Sequence, residues 1–131
     1  MENPRPEKVA VVAEVRGRLS ASGATILTEY RGLRVAELAE LRRTVRQAGG
    51  DYRIYKNTLV RFAARDLGLD GLAELLAGPT ALAFVQGDPV DVAKALRDYA
   101  RANPALVIKG GVLGEGALSA DQARALADVP P

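Results

Sequence analysis

The clearest structural pattern in the sequence is the stretch ATILTEYRGLRVAELAELRRTVRQAGGDYRIYKN, residues 24–57. Its first seven residues alternate and are rich in β-forming side chains, which predicts a strand over Ala24–Tyr30. Apolar residues then recur at helical spacing, which predicts a helix over Val35–Ala48 that ends at Gly49-Gly50. The segment DYRIYK, Asp51–Lys56, predicts a second strand. A strand, a helix and a strand in succession indicate a sheet covered by helices.

The rest of the chain continues this alternation. The further predicted helices run from Pro6 to Ser22-Gly23, over Leu59–Leu67, over Gly71–Ala77, from Asp88 or Pro89 to Ala102, and over Ala120–Asp128 with Ser119 as its cap. Asn57 or Thr58 is expected to cap the helix over Leu59–Leu67, in which Leu59, Phe62 and Ala63 face inward. The further predicted strands lie over Thr80–Val85 and over Leu106–Lys109, the latter ended by Gly110-Gly111, and a hairpin is predicted around Gly114-Glu115-Gly116. We therefore expect one α/β domain over residues 1–131. Its sheet is expected to be mixed, with helices packed on it in two or three layers.

The composition excludes most catalytic chemistry. Of the 131 residues none is Cys or His, so thiol nucleophiles, thiolate metal sites and the commonest general base are missing. The glycine-rich segments near residue 110 lack the features of a phosphate-binding loop, and the carboxylates at helix ends are expected to act as caps. We predict no enzyme activity, metal or cofactor. A charged N-terminus and the lack of a long apolar run predict a soluble cytoplasmic protein that does not bind membranes.

The charge is unevenly distributed along the chain. Residues 1–65 hold 13 Lys and Arg against 7 Asp and Glu, whereas residues 66–131 hold 5 against 9. The net charges are therefore +6 and −4, which indicates one side that faces a polyanion and another that does not. Three of the arginines, Arg42, Arg43 and Arg46, lie beside the apolar face of the helix over Val35–Ala48. Chance clustering on a solvated surface is the alternative.

Basic and aromatic residues gather where the two predicted strands end. If these strands lie near each other in the sheet, their ends converge into one patch beside a helix start. Such a patch suits RNA, because guanidinium and ammonium groups bind phosphates and aromatic rings stack on unpaired bases. The alternative is a charged loop cluster in which Tyr52 or Tyr55 belongs to the core. The residues that pattern and charge assign to the patch are Tyr30, Arg31, Arg34, Arg53, Tyr55, Lys56, Asn57, Arg61 and Arg65.

A series of short motifs resembles the bacterial L-ten family of ribosomal proteins, which form the base of the large-subunit stalk. The motifs occur in family order over nearly the whole chain. They are TEYRGL at 28–33, AELAELRR at 36–43, KNTL at 56–59, GPTA at 78–81, GDPV at 87–90 and VIKGG at 107–111.

This resemblance implies an α/β domain that docks on large-subunit (23S) rRNA near ribosomal protein L-eleven. It implies rRNA contacts by Lys8, Arg31, Gly32, Lys56, Asn57, Thr58 and Arg61. It also implies anchoring of the acidic stalk protein dimers, L-seven/L-twelve, which recruit translation factors. In the family a long C-terminal helix collects those dimers. This chain ends at Pro131, so we expect that helix to be absent from it.

Two other functions remain open from the sequence. The first is a ribosome-assembly relative that occupies the same rRNA site transiently. The second is a small α/β enzyme or nucleotide-binding domain, which would need a pocket with convergent polar groups. Binding to a look-alike fold in the protein's own mRNA is compatible with the resemblance.

Overall fold

The computed structural model describes residues 6–114 and 116–128 as alternating helices and strands. The helices are α1 (Pro6–Ala21), α2 (Val35–Gln47), α3 (Asn57–Asp66), α4 (Asp70–Ala73), α5 (Pro89–Ala102) and α6 (Ala120–Ala125), the last followed by a 3-10 turn over Leu126–Asp128. The strands are β1 (Ala24–Glu29), β2 (Gly50–Ile54), β3 (Thr80–Val85), β4 (Val107–Leu113) and β5 (Gly116–Leu118). Each predicted helix and strand has a counterpart, but some bounds differ: α4 ends four residues before the predicted Ala77, β2 ends at Ile54 rather than Lys56, and β4 continues to Leu113.

The strands form one sheet in the order β2-β3-β1-β4-β5. Each neighbouring pair in the described sheet is antiparallel, so the α/β class is confirmed but the sheet is antiparallel rather than mixed. β2 is hydrogen-bonded only to β3 within the sheet, which leaves one of its sides open at the sheet edge.

Helices cover both faces of the sheet in three layers. Alternate residues of a strand point to opposite faces, so Ile26 of β1 packs in one core and Leu27 in the other. The core on the Ile26 side includes residues of α2, α5 and α6. The core on the Leu27 side includes residues of α1, α3 and α4. Both faces are apolar because both are covered, which explains the unbroken buried run of β3.

Side-chain caps begin two of the helices. The Asp88 carboxylate accepts the backbone N–H of Val90 at 2.9 Å, and Ser119 caps α6 through a reciprocal pair of hydrogen bonds with Gln122. The predicted cap of α3 is wrong. Lys56 is its N-cap residue, without a side-chain hydrogen bond to the backbone.

The inward face of α3 also differs from the prediction. Phe62 is 59% exposed and Leu59 only partly buried, whereas Val60, Ala63 and Ala64 are completely buried. The small alanines allow α3 to lie close against α1, so the helix buries its small face and leaves Phe62 outside.

The predicted break at Gly110-Gly111 is wrong, because both glycines lie inside β4. The register between β1 and β4 shifts at this point, and Gly110 adopts a φ of +145°. A Cβ atom on Gly110 would lie 2.6 Å from the carbonyl oxygen of Leu118, so only glycine fits there. The pair therefore marks a bulge within a strand instead of its end.

Candidate nucleic-acid interface

The ends of β1 and β2 lie at the same edge of the sheet. Both strands pair antiparallel with β3, which lies between them, so they run in the same direction. Thr28 of β1 and Ile54 of β2 both lie opposite Ala81 in the register. The predicted convergence of the two strand ends is confirmed, with β3 as the strand that separates them.

The loop over residues 76–79 enters β3 between these strand ends. The backbone N–H of Tyr30 donates to the carbonyl oxygen of Pro79 at 3.4 Å. Gly78 has a φ of +68°, and a Cβ atom there would meet the guanidinium of Arg31 at 3.3 Å. The Arg31 guanidinium therefore lies directly beside the loop, and Arg31 is exposed to solvent.

Three side chains donate hydrogen bonds to consecutive carbonyls of this loop. Arg61 donates to the Leu76 oxygen at 2.7 Å, Lys109 to the Ala77 oxygen at 2.5 Å and Asn57 to the Gly78 oxygen at 2.8 Å. These donors satisfy three backbone carbonyls of the loop between α4 and β3 and hold that loop in place.

Lys109 was not among the predicted site residues. Its ammonium group also donates to the Thr80 hydroxyl at 3.0 Å. Desolvation by partial burial lowers the pKa of Lys109, with an opposing contribution from the charge of Glu29. Its motif, VIKGG, was recognised in the sequence, but nothing in the local pattern connects β4 with the loop before β3.

A groove of about 390 Å³ opens where the loop meets the two strand ends. We call it the sheet-end groove, and its lining residues are Tyr30, Ile54, Tyr55, Lys56, Asn57, Gly78, Pro79 and Thr80. Lys56 and Thr58 are exposed, and the N-terminus of α3 begins beside them. Helix N-termini carry a partial positive charge and backbone N–H groups without intrahelical acceptors, so this end of the sheet attracts anions.

Arg31, Gly32 and Arg34 lie on the turn that follows β1. All three are exposed, and Gly32 has a φ of +91°, which favours glycine. The Arg34 guanidinium lies 3.9 Å from a Glu37 carboxylate oxygen, with 89% of the Arg34 side chain exposed. The turn therefore presents two accessible guanidinium groups near the groove.

Two predicted residues engage in contacts within the fold. The Tyr55 hydroxyl donates to Glu14 at 2.5 Å, and its ring packs edge-on against Phe84. Burial and the bond to Glu14 raise the pKa of Tyr55. Arg53 donates through Nε to Asp51 at 2.9 Å. The alternative of a core tyrosine applies to Tyr52, which is completely buried and shares a 2.6 Å hydrogen bond with Thr28.

Lys8 and Arg65 do not line the groove. Lys8 lies in the first turn of α1 and Arg65 in the last turn of α3, and both are exposed. Since α1 packs against α3, these residues belong to the helical layer beside the groove. Arg61 shares that helix but is half-buried.

The described parts of the chain contain no cluster of three or more carboxylates that could hold a metal ion. None of the helices in residues 6–114 and 116–128 combines the length and apolar character that a membrane span requires.

The family model for ribosomal protein L10 matches residues 3–101, which is most of the chain. The chain belongs to the ribosomal protein L10 family. Its motifs therefore reflect family membership, and the resemblance seen in the sequence is confirmed.

Curated relatives in the L10 family are named large ribosomal subunit protein uL10. The protein of Acidothermus cellulolyticus is 57% identical over 96% of this chain and 73% of its own length. The proteins of Streptomyces griseus and Cutibacterium acnes are each 54% identical over 95% of this chain, and over 67% and 61% of their own lengths. L10 proteins are structural components of the large ribosomal subunit and not enzymes, so the non-catalytic prediction is confirmed and the small-enzyme alternative is wrong.

Proposed function

We propose that this domain binds large-subunit rRNA at the base of the stalk through the sheet-end groove and the turn after β1. The observation that carries this proposal is the convergence of β1 and β2 beside the N-terminus of α3. Lys56 and Arg31 are exposed there, where they can bind phosphates of a folded RNA. Thr58 supplies a hydroxyl and Gly32 allows close backbone approach.

Other predicted residues act within the surface in different ways. Asn57 and Arg61 hold the loop over residues 76–79, so their contribution to binding is to shape the groove. Tyr55 presents part of its ring while its hydroxyl is occupied by Glu14. Arg34, Arg65 and Lys8 extend the positive charge around the groove, which increases attraction to phosphate at longer range.

The partners of the domain are part of the same proposal. The resemblance supplies two partners, which are ribosomal protein L-eleven as a neighbour on the same rRNA and the acidic stalk protein dimers. The stalk dimers are assigned to a C-terminal helix, so we propose no residue among the described ones for that contact. The names of the curated relatives favour a resident subunit protein over a transient assembly factor.

The test is binding of the chain to a stalk-base rRNA fragment, with and without L-eleven, at two salt concentrations. We expect tight binding that L-eleven strengthens and that weakens as salt rises, because phosphate contacts release counterions. Lys56→Glu should weaken binding strongly, whereas the matched reversal Arg101→Glu, on α5, should not. Absence of binding by the folded wild-type chain would refute the proposal. Co-sedimentation with precursor particles but not with mature subunits would favour the assembly alternative.

A further inference from the structure

A second basic cleft lies at the open edge of β2. Its volume is about 210 Å³, and we call it the edge cleft. Its lining residues are Arg42, Arg46, Asp51, Tyr52, Arg53, Ile54 and Tyr55. It is therefore formed by one face of α2, by the edge strand and by the residue that follows that strand.

The arginines of α2 reach this cleft together. Arg42 and Arg46 are four residues apart, so they lie one above the other on the same helical face. Both are exposed, and neither side chain makes a hydrogen bond or ion pair with another described residue. Leu41 and Val45 are completely buried on the adjacent face, which fixes the rotation of α2 and hence the direction of the arginines.

The single carboxylate in the edge cleft is already neutralised. One oxygen of Asp51 accepts Nε of Arg53 at 2.9 Å and a terminal nitrogen of Arg18 at 2.6 Å. Only 16% of the Asp51 side chain is exposed, whereas 42% of the Arg53 side chain is. Among the described residues Arg53 uses only Nε in hydrogen bonding, so its two terminal nitrogens stay available on the cleft side. Three guanidinium groups therefore line a cleft whose single carboxylate already accepts hydrogen bonds from arginines. A bound anion would stabilise this arrangement.

The edge cleft is continuous with the sheet-end groove. Ile54 and Tyr55 line both of them. A polyanion that lies in the groove at Lys56 would pass over these two residues and arrive among the arginines. This continuity favours the backbone of a folded RNA over a small free anion, because one chain of phosphates can occupy both places.

We propose that the edge cleft binds the phosphodiester backbone of the same RNA, with Arg42 and Arg46 as its contacts on α2 and Arg53 as its contact on β2. This inference rests on the proposed function and extends it from the end of the sheet to its open edge. Asp51 and Arg18 are positioning residues, because Asp51 holds the Arg53 guanidinium and Arg18 holds Asp51.

The experiment measures RNA affinity over a series of salt concentrations for the full chain and the double variant Arg42→Gln/Arg46→Gln. The matched control is Arg101→Gln/Arg124→Gln, which removes two arginines from α5 and α6, near the opposite edge of the sheet. Each lost phosphate contact should lower the log–log salt slope by roughly 0.7 to 0.9, so we expect a decrease of about 1.4 to 1.8 in the double variant and none in the control. Modification of arginines with phenylglyoxal should show that RNA protects Arg42 and Arg46 but not Arg101.

The remaining outcomes separate this inference from the proposed function. If Lys56→Met flattens the salt slope while Arg42→Gln/Arg46→Gln behaves like the control, the edge cleft is not an RNA site and the groove still is. If the double variant self-associates with an unchanged slope, the arginines protect the edge strand from pairing with another chain, and the inference is overturned. If the wild-type chain does not bind the RNA, both the proposed function and the inference about the edge cleft are refuted.

Discussion

Replacing Arg61 by methionine separates a residue that holds the loop from one that contacts RNA. The guanidinium donates to the Leu76 carbonyl at 2.7 Å, and the residue is half-buried. Methionine keeps an apolar stem of similar length but cannot donate. Hydrogen bonds that involve a charged group contribute about 1.5–3 kcal/mol, and partial exposure reduces this to about 1–2 kcal/mol.

The free energy of unfolding should therefore fall by about 1–2 kcal/mol in Arg61→Met. For a domain of this size such a change lowers the melting temperature by about 3 to 10 °C. The assay combines thermal unfolding by circular dichroism with RNA binding over a salt series. Because the Arg61 guanidinium is bonded to the loop, we do not expect it to bind phosphate. The affinity of Arg61→Met for RNA should fall by a similar factor at every salt concentration, and the log–log salt slope should not change.

Lys56→Met is the matched comparison, since Lys56 is exposed and lies at the mouth of the groove. We expect its melting temperature to match that of the wild type, while its salt slope falls by roughly 0.7 to 0.9. The opposite result would be an Arg61→Met variant that flattens the slope as much as Lys56→Met and keeps the wild-type melting temperature. Arg61 would then bind phosphate, and the loop would not depend on it.

Further predictions concern the fold that supports this surface. Tyr52→Phe should lower the free energy of unfolding by about 1–3 kcal/mol, because the buried Thr28 hydroxyl loses its hydrogen-bond partner. In a double-mutant cycle measured by urea unfolding, adding Thr28→Val should recover part of this loss. Strictly additive effects of the two substitutions would argue against the hydrogen bond. Burial raises the pKa of Tyr52 from 10.0 to about 12, so the unfolded chain ionises first, and about 2–3 kcal/mol of stability should be lost between about pH 10 and pH 12. Alkaline unfolding monitored by circular dichroism should show a smaller loss in Tyr52→Phe; an equal loss would assign it to other tyrosines. Gly111→Ala should prevent folding, because the new Cβ atom would collide with the Thr25 carbonyl oxygen. The matched Gly17→Ala should raise the melting temperature, because there is open space around Gly17 in α1. A soluble, native-like Gly111→Ala protein would show that β1 and β4 can separate at this point.

The local elements were predictable because they depend on short-range periodicity. β-Forming side chains identified β1, in which residues 24–28 are all buried because both faces of the sheet are covered, and helical spacing of apolar residues identified α2 and α5. Caps were less predictable, since Ser119 begins α6 as expected while Lys56 begins α3 without a side-chain bond. Tertiary packing decides such positions.

Phe62 shows why the face of a short helix is hard to predict. Its size suggested a core position, but α3 buries Val60, Ala63 and Ala64 instead and leaves Phe62 on its exposed side. Gly110-Gly111 shows the same limit for a strand. The pair looked like a break, and the close approach of β1 and β5 makes it part of a bulged strand.

Residue types and their spacing are enough to predict the alternating elements, the positive first half, the family and the collection of basic residues near Tyr30 and Lys56. Three features depend on tertiary packing. β3 lies between the two strand ends, Lys109 and Arg61 hold the loop beside Gly78, and one cleft at the open edge is lined by Arg42, Arg46 and Arg53. Lys109 is far from the loop in the chain, and Arg42 and Arg53 lie on different elements, so only packing on a shared sheet brings these groups together. The roles of these side chains depend on contacts with distant elements, which no local sequence pattern indicates.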